Sequence, residues 1–392
     1  MIDVIIPVYG GASQTRKCIE SVLASRQASA HEVIVIHDAS PEPELSAYVR
    51  GLAAQGRVTL LDNERNVGFV HSVNRGMALH EDRDVLLLNS DTEVANDWLD
   101  RISACAHRER DIATVTPFSN NATICSYPFE GWQGGIAGGL GLAGLDRLIA
   151  TVNAGKSVEL PTAVGFCMYI RRDSLTRLGL FDAERFPRGY GEENEFCMRA
   201  VKAGLRNVLA ADVFVYHEGA VSFSKDRFAL QEAAGKALIE VHPEYTGRVH
   251  WFLKADPTQP LRNAIDAARL ELSGEEARHV LAERIDERGR IMHGLWEIED
   301  VAHQRSSQIG QLNRGLEHAG FLVADRDRTI AERNAVIARK DAEIAALKVE
   351  ISNRDEIVRA HADALAGIHN SRSWRLLTRL SRAKRRILGG AS

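Results

Sequence analysis

Short apolar runs alternate with amphipathic stretches in the N-terminal half of the chain. Such runs lie at positions 2–6, 32–36, 58–61 and 85–88; Pro7 stops the first, and each of the others ends in polar residues. Between them, apolar residues recur at helical spacing, for example at Leu45, Val49 and Leu52. Strands that alternate with helices in this way predict an α/β fold, with a mostly parallel sheet covered on both faces.

Polar side chains follow three of these strands at the point where each one ends. Asp38, Asn66 and Asp91 occupy these positions, and Asp91 follows the uninterrupted apolar run Val85–Leu88. The carboxyl ends of parallel strands meet at one edge of a sheet, which is where such folds bind ligands. A carboxylate there suits a hard cation that bridges phosphate oxygens, although a plain turn with an N-cap remains the alternative.

Further polar groups follow later elements. Glu192 and Glu193 come after Gly189 and Gly191 and before helix-forming residues, which predicts that both carboxylates lie at a helix N-terminus and stay ionised. His217 follows the strand predicted at 213–216. Seven glycines between 131 and 144 predict either a mobile loop near the site or a surface linker.

Composition excludes several classes of protein. The chain has 392 residues, 45% of them hydrophobic, and a net charge of −4, which gives no reason to expect nucleic-acid binding. Five cysteines without a C-x-x-C pair predict neither a disulfide framework nor a zinc site and fit a reducing cytosol. No signal-peptide pattern and no apolar run long enough to span a membrane is present, so the expected location is cytoplasmic.

Six short motifs occur in a fixed order. They are Ile6-Pro7-Val8-Tyr9, His37-Asp38-Ala39-Ser40, Asn66-Val67-Gly68 with Asn74 and Gly76, Asn89-Ser90-Asp91, Gly191-Glu192-Glu193-Asn194-Glu195 with Arg199, and His217. In this order they resemble the family 2 glycosyltransferases with the GT-A fold, of the bacterial surface-polysaccharide and rhamnosyltransferase type, over roughly residues 2–255. Two departures stand out: Asn-Ser-Asp replaces the usual Asp-X-Asp, and Glu192-Glu193 replaces a Glu-Asp pair.

The resemblance implies roles for these residues. The nucleotide-sugar donor would contact Pro7, Val8, Tyr9, Asp38, Asn66, Gly68, Asn74, Asn89, Ser90 and Asp91. Pro7, Val8 and Tyr9 would line the nucleobase pocket and Asp38 would accept a hydrogen bond from the base, whereas Asn66 and Asn74 would contact ribose or phosphate or else cap their own turns. Asp91 and His217 would hold Mg²⁺ or Mn²⁺, and the nitrogen ligand favours Mn²⁺.

The implied reaction is an inverting transfer of a sugar to a hydroxyl of a surface polysaccharide or lipid-linked glycan. Glu193 is the expected base and Glu192 the expected contact to the acceptor, although the two roles are exchangeable. Two rival hypotheses are a nucleotidyltransferase and an inactive transferase-like scaffold. No Gly- and Arg-rich phosphate loop follows the first strand, which argues against the former, and retention of Asp38, Asp91, Glu193 and His217 argues against the latter.

The C-terminal third differs in character. The change in composition predicts four parts: a transferase domain at 1–255, a linker at 256–272, a helical coiled-coil region at 273–370 and a basic tail at 371–392. An apolar or small residue recurs every seventh position from Leu295 to Leu365. This pattern predicts a coiled coil, most regular from about Phe321 to Ala366, and self-association, most simply as a dimer. A single solvated helix is the alternative.

The basic tail has no acidic residue. Its cations are Arg372, Arg375, Arg379, Arg382, Lys384, Arg385 and Arg386. On a helix, most of them share one face and leucines gather on another, which predicts an amphipathic helix on an anionic membrane surface and hence a peripheral position at the inner face of the cytoplasmic membrane. A partner-protein or nucleic-acid patch and a solvated tail are the alternatives.

Overall fold

The structure is a computed structural model that describes residues 1–136, 138–187, 189–219, 227–318, 323–371, 376 and 378. The chain forms two compact units, Met1–Met292 and His293–Ser392. The described strands are β1 Ile2–Val8, β2 His31–His37, β3 Thr59–Asp62, β4 Asp84–Leu88, β5 Thr92–Glu93, β6 Ile112–Phe118, β7 Ser157–Leu160, β8 Cys167–Ile170, β9 Arg206–Phe214 and β10 Tyr216–His217. The described α-helices are α1 Ala12–Ala24, α2 Pro43–Ala54, α3 Phe69–Met77, α4 Trp98–Ala106, α5 Gly141–Val152, α6 Arg172–Leu178, α7 Glu192–Lys202, α8 Arg227–Val241, α9 Tyr245–Ala255, α10 Gln259–Leu272, α11 Gly274–His318 and α12 Val323–Asn370.

The first unit is built on an eight-stranded sheet in the order β3-β2-β1-β4-β8-β6-β9-β7. Strands β1, β2, β3 and β4 pair in parallel, as do β6 and β9, whereas β8 and β7 run antiparallel to their neighbours. The predicted α/β class with a mostly parallel sheet is therefore confirmed. A separate short ribbon joins β5 to β10.

Both faces of the sheet are buried, which explains the uninterrupted apolar runs. Successive side chains of a strand point to opposite faces, so Val4 and Ile6 pack into one core cluster while Ile5 packs into the other. On the Ile5 face the helix α3 approaches closely: a Cβ on Gly76 would lie 2.7 Å from the Ile36 side chain. Glycine is therefore what lets α3 lie against the sheet at this point.

The segment predicted as a linker differs in the structure. Most of 256–272 is the helix α10, whose Leu261 and Ile265 belong to the main core cluster. Pro260 stands in the first turn of α10, where a proline lacks no required hydrogen bond and already has a helical φ. Pro260 therefore lies at the start of a helix that belongs to the first unit.

The glycine-rich segment is also more ordered than the sequence predicts. Its last glycines begin α5 at Gly141, and the Gly139 N–H donates to Glu276 Oε1 of α11 at 2.7 Å. Gly138 has φ +91°, and a Cβ there would lie 2.2 Å from that same carboxylate oxygen. These glycines allow a close approach to Glu276, so this part of the segment packs against α11.

The second unit contains the C-terminal part of α11 and the helix α12. The predicted helix is thus present, and its N-terminal half is helical as well. Among the residues that recur every seventh position, Ile337 and Val358 are 38% and 42% exposed, and Ile344 and Ile351 are half-buried. Phe321 and most of the predicted basic tail 371–392, including its six arginines and its lysine, lie outside the described residues. Within the described part of the chain, no helix is long and apolar enough to cross a membrane.

Candidate active site

The turn after β4 is held in place by backbone contacts. The Asn89 N–H donates to the Phe166 carbonyl at 2.8 Å, and Thr92 Oγ1 donates to the Asn89 carbonyl at 2.8 Å. The side chain of Asp91 is 16% exposed and points towards His217. The turn thus presents one carboxylate at the carboxyl edge of the sheet, as predicted.

The ribbon of β5 and β10 brings His217 to Asp91. His217 pairs with Thr92 in the antiparallel register, and its Nε2 lies 3.4 Å from Asp91 Oδ1. Its Nδ1 lies 2.7 Å from the Asn121 carbonyl, which only accepts, so the ring carries its neutral-form proton on Nδ1 and directs Nε2 at Asp91. Burial alone would lower the pKa of His217, but the contact with the Asp91 carboxylate outweighs it and raises that pKa.

Three residues that the sequence did not single out support His217. Asn120 exchanges two hydrogen bonds with the His217 backbone, at 2.8 and 2.9 Å, and Asn121 fixes the ring as described above. The Phe166 ring stacks on the imidazole at a centroid distance of 5.3 Å. The sequence signal for these contacts was the loop at 118–127, which is rich in Asn and Ser. The contacts themselves depend on pairing between distant segments.

The predicted position of Glu192 and Glu193 is confirmed, since α7 begins at Glu192. Gly191 precedes it with φ +144°, and a Cβ there would lie 3.0 Å from the Phe186 ring. A Cβ on Gly165 would lie 3.8 Å from Glu193 Cγ, and the next residue is Phe166. The loop before β8 therefore links Glu193 on one side to the His217–Asp91 pair on the other.

The expectation that both glutamates stay ionised is wrong. Burial, and then the neighbouring charge of Glu193, raises the pKa of Glu192 from 4.5 to about 8. Burial also raises the pKa of Glu193, although backbone amides and Asn194 oppose it. Desolvation thus exceeds the effect of the helix terminus and opposes full ionisation of the pair at neutral pH.

Asp38 has an internal structural task at the end of β2. Its Oδ1 accepts hydrogen bonds from Asn63 Nδ2 at 2.8 Å and from the Val67 N–H at 2.9 Å, and its Oδ2 accepts from the Gly68 N–H at 2.9 Å. Gly68 has φ +88°, and a Cβ there would lie 2.8 Å from the Pro187 carbonyl. Asp38 therefore shapes the Asn66-Val67-Gly68 loop, which the sequence placed at the same edge.

The remaining predicted donor residues are distributed unevenly. Val8 pairs with His37 at the end of β1, next to Pro7, and Tyr9 beyond it is 49% exposed. Asn66 is exposed on its loop. Asn74, by contrast, donates from Nδ2 to the Phe181 carbonyl at 2.8 Å and accepts at Oδ1 from the Phe181 N–H at 3.1 Å. These two bonds give Asn74 a structural role, and its contact with ribose or phosphate stays a prediction.

A second group of metal-ligating residues lies at the opposite end of the strands. Asp3, Glu32 and His80 bring ligand atoms within 4.8 Å of one another. Arg83 Nη1 contacts both carboxylates, at 3.1 Å from Asp3 Oδ1 and 2.5 Å from Glu32 Oε2. The Arg83 guanidinium thus already pairs with both carboxylates of this group.

Two solved structures are similar to parts of this chain. A crystal structure of GalNAc-T7 with UDP, GalNAc and Mn²⁺ is similar over 68% of this chain and 55% of its own, at 17% identity and a TM-score of 0.47, so this chain spans little more than half of it. The mannosyltransferase PcManGT from Pyrobaculum calidifontis, in complex with GDP-Man and Mn²⁺, is similar over 73% of this chain and 79% of its own, at 16% identity and a TM-score of 0.44. No curated protein matches the chain significantly.

The family model described as glycosyl transferase family 2 matches residues 3–179. The matched range contains the strand ends that carry Asp38 and Asp91, whereas Glu192, Glu193 and His217 lie beyond it. Together with the mostly parallel sheet, the match confirms the expected GT-A type of fold. Residues 3–179 of this chain are thus similar to glycosyl transferase family 2.

Proposed function

We propose that this protein is an inverting, metal-dependent glycosyltransferase of the hexosyl or rhamnosyl class. It moves a sugar from a nucleoside-diphosphate sugar to a hydroxyl of a growing surface polysaccharide or lipid-linked glycan. The observation that carries the proposal is the placement of Asp91, His217 and Glu193 around one short loop, with Phe166 stacked on His217 and Gly165 beside Glu193. A cation ligand pair and a proton acceptor are the two kinds of group that a metal-dependent, inverting sugar transfer uses.

Asp91 and His217 fit a divalent cation. Asp91 Oδ1 and His217 Nε2 lie 3.4 Å apart, and the second ring nitrogen of His217 is bonded to a backbone carbonyl, the arrangement usual for a histidine ligand. An oxygen and a nitrogen ligand suit Mn²⁺, and also Mg²⁺ less strongly. When bound, the cation would neutralise the charge that the leaving diphosphate gains.

Glu193 is the proposed base and Glu192 the proposed acceptor contact. The acceptor hydroxyl attacks the anomeric carbon from the face opposite the leaving diphosphate, and its proton moves to a carboxylate oxygen of Glu193. Burial raises the pKa of Glu193, which increases its strength as a base. Glu192 holds a proton at neutral pH, so its carboxyl donates a hydrogen bond to the acceptor.

Donor binding is assigned to the edge formed by β1, β2 and β4. Pro7, Val8 and Tyr9 line the base, and Asp38 receives a base N–H in addition to its internal hydrogen bonds, since an ionised carboxylate offers about four lone-pair sites. Asn66 and Gly68 lie on the loop that Asp38 holds. Asn89 and Ser90 precede the ligand Asp91 and face the diphosphate.

The C-terminal parts are assigned to assembly and location. The apolar residues exposed on α11 and α12, such as Val301 and Val349, support self-association through the helical unit. The cations of 371–392 support attachment to an anionic membrane surface, from which lipid-linked acceptors are reached. We infer from this a peripheral position at the inner face of the cytoplasmic membrane.

Release of nucleoside diphosphate from a panel of nucleotide sugars, with Mn²⁺ and a lipid-linked acceptor extract, tests the proposal. Asp91→Ala should abolish release, and Glu193→Gln should slow it by at least about a hundredfold while the protein remains folded. Asp82→Ala and Glu159→Gln, at exposed positions, are matched controls that should leave the rate unchanged. Full activity of Asp91→Ala in excess chelator would contradict the metal site, and loss in Glu192→Gln with full activity in Glu193→Gln would exchange the two glutamate roles.

A further inference from the structure

Glu193 is the end of a short chain of hydrogen-bonded side chains. Asn194 Nδ2 donates to Glu193 Oε1 at 3.0 Å. On the other side of the same amide, Asn194 Oδ1 accepts from Tyr245 OH at 3.0 Å and from Thr162 Oγ1 at 2.8 Å. The reverse orientation of the amide would turn its oxygen against the carboxylate, so both hydroxyl donors and Glu193 select the same orientation.

The Tyr245 hydroxyl stays protonated and donates to this series of hydrogen bonds. Burial, and then the nearby charge of Glu193, raises its pKa, so its hydroxyl keeps its proton over the whole range in which a carboxylate titrates. Its ring packs against the cluster of Phe186, Ala234 and Leu238, which lies between the loop before α7 and the helix α8. The position of the hydroxyl is therefore fixed by helices outside the region that matches the family.

We propose that Tyr245, acting with Thr162 through the Asn194 amide, is a positioning residue that orients the Glu193 carboxylate for proton transfer. The proposal rests on the proposed role of Glu193 as the base. Tyr245 itself touches no reacting atom. Its hydroxyl holds Asn194 Oδ1, Asn194 Nδ2 then holds Glu193 Oε1, and the carboxylate is confined to one rotamer. A carboxylate that is confined in this way also retains a donor that favours its ionised form.

Tyr245→Phe keeps the ring and removes the donor. We expect kcat to fall by about tenfold, because one hydrogen bond in a network to a charged group is lost, while the KM for the donor sugar changes less than about twofold. The acid limb of the kcat profile should move to higher pH, since weaker donation from Asn194 raises the pKa of Glu193. Tyr48→Phe is the matched control, because the Tyr48 hydroxyl is buried without a hydrogen-bond partner, and it should change neither quantity.

Two further measurements distinguish the positioning role of Tyr245 from a merely structural one. Thr162→Val, which removes the second donor from another element, should shift the pH profile in the same direction. In a Glu193→Gln background, Tyr245→Phe should cause no further loss of kcat, because the group that it positions is already gone. Equal pH profiles for wild type, Tyr245→Phe and Thr162→Val, or additive losses in the double variant, would overturn the inference. Full activity of Glu193→Gln would instead reject the proposed function on which it rests.

Discussion

Glu192→Gln should stabilise the protein, and by an amount that grows with pH. The folded state holds the Glu192 proton up to about pH 8, because the carboxyl is buried beside Glu193, whereas an unfolded chain releases it near its ordinary pKa of 4.5. Below the ordinary value both states carry the proton, and glutamate behaves like glutamine. As pH rises through the interval between the two values, the wild type loses stability that the glutamine variant keeps.

The size of the effect follows from these two pKa values. Each pH unit within the interval costs about 1.4 kcal/mol, so the full interval from 4.5 to about 8 corresponds to roughly 5 kcal/mol. Local relaxation and water entry reduce this figure, and we expect an observed gain of at least about 2 kcal/mol at pH about 8.5 and little gain at pH about 4. Above the folded-state value the difference becomes constant.

Urea unfolding, followed by tryptophan fluorescence at several pH values, measures the difference between variant and wild type. Comparison at each pH cancels the titration of all other groups. Glu159→Gln, on the exposed face of an edge strand, is the control and should show no such trend. A gain that is the same at low and high pH would refute the assignment of a retained proton to Glu192. A loss that grows with pH would show that the helix N-terminus stabilises the carboxylate after all.

Three further predictions concern the helices and the tail. Arg269→Met should lower the free energy of unfolding by about 3–5 kcal/mol, because it leaves two buried glutamates without their guanidinium. The control Arg278→Met, at an exposed position, should lower it by less than about 0.5 kcal/mol. Equal urea midpoints for the two variants would contradict this prediction. A chain ending at Met292 should be monomeric by light scattering while the full chain is a dimer, and equal masses per particle would exclude association through the second unit. Co-sedimentation with liposomes should require anionic lipid, weaken with salt and disappear without residues 371–392, and binding that persists after their removal would place the membrane contact elsewhere.

The sequence alone determined the class of fold and the edge of the sheet that carries the site. Apolar runs such as 33–36 and 85–88 predicted buried strands, because strands covered on both faces carry apolar residues on both faces. Parallel strands bring their carboxyl ends together, so Asp38 and Asp91 had to share one edge. The glycines before Glu192 likewise marked a helix start from local conformation only.

Tertiary structure decided what local patterns do not encode. Pairing of β10 with β5 sets the distance from His217 to Asp91, and the packing of Phe181 against α3 gives Asn74 its structural task. The protonation of Glu192 depends on how completely neighbouring elements exclude water, which no sequence pattern records. Long-range contacts fix desolvation and the partner of each polar atom, and for that reason the site's edge could be read from the sequence while its charges and supporting side chains could not.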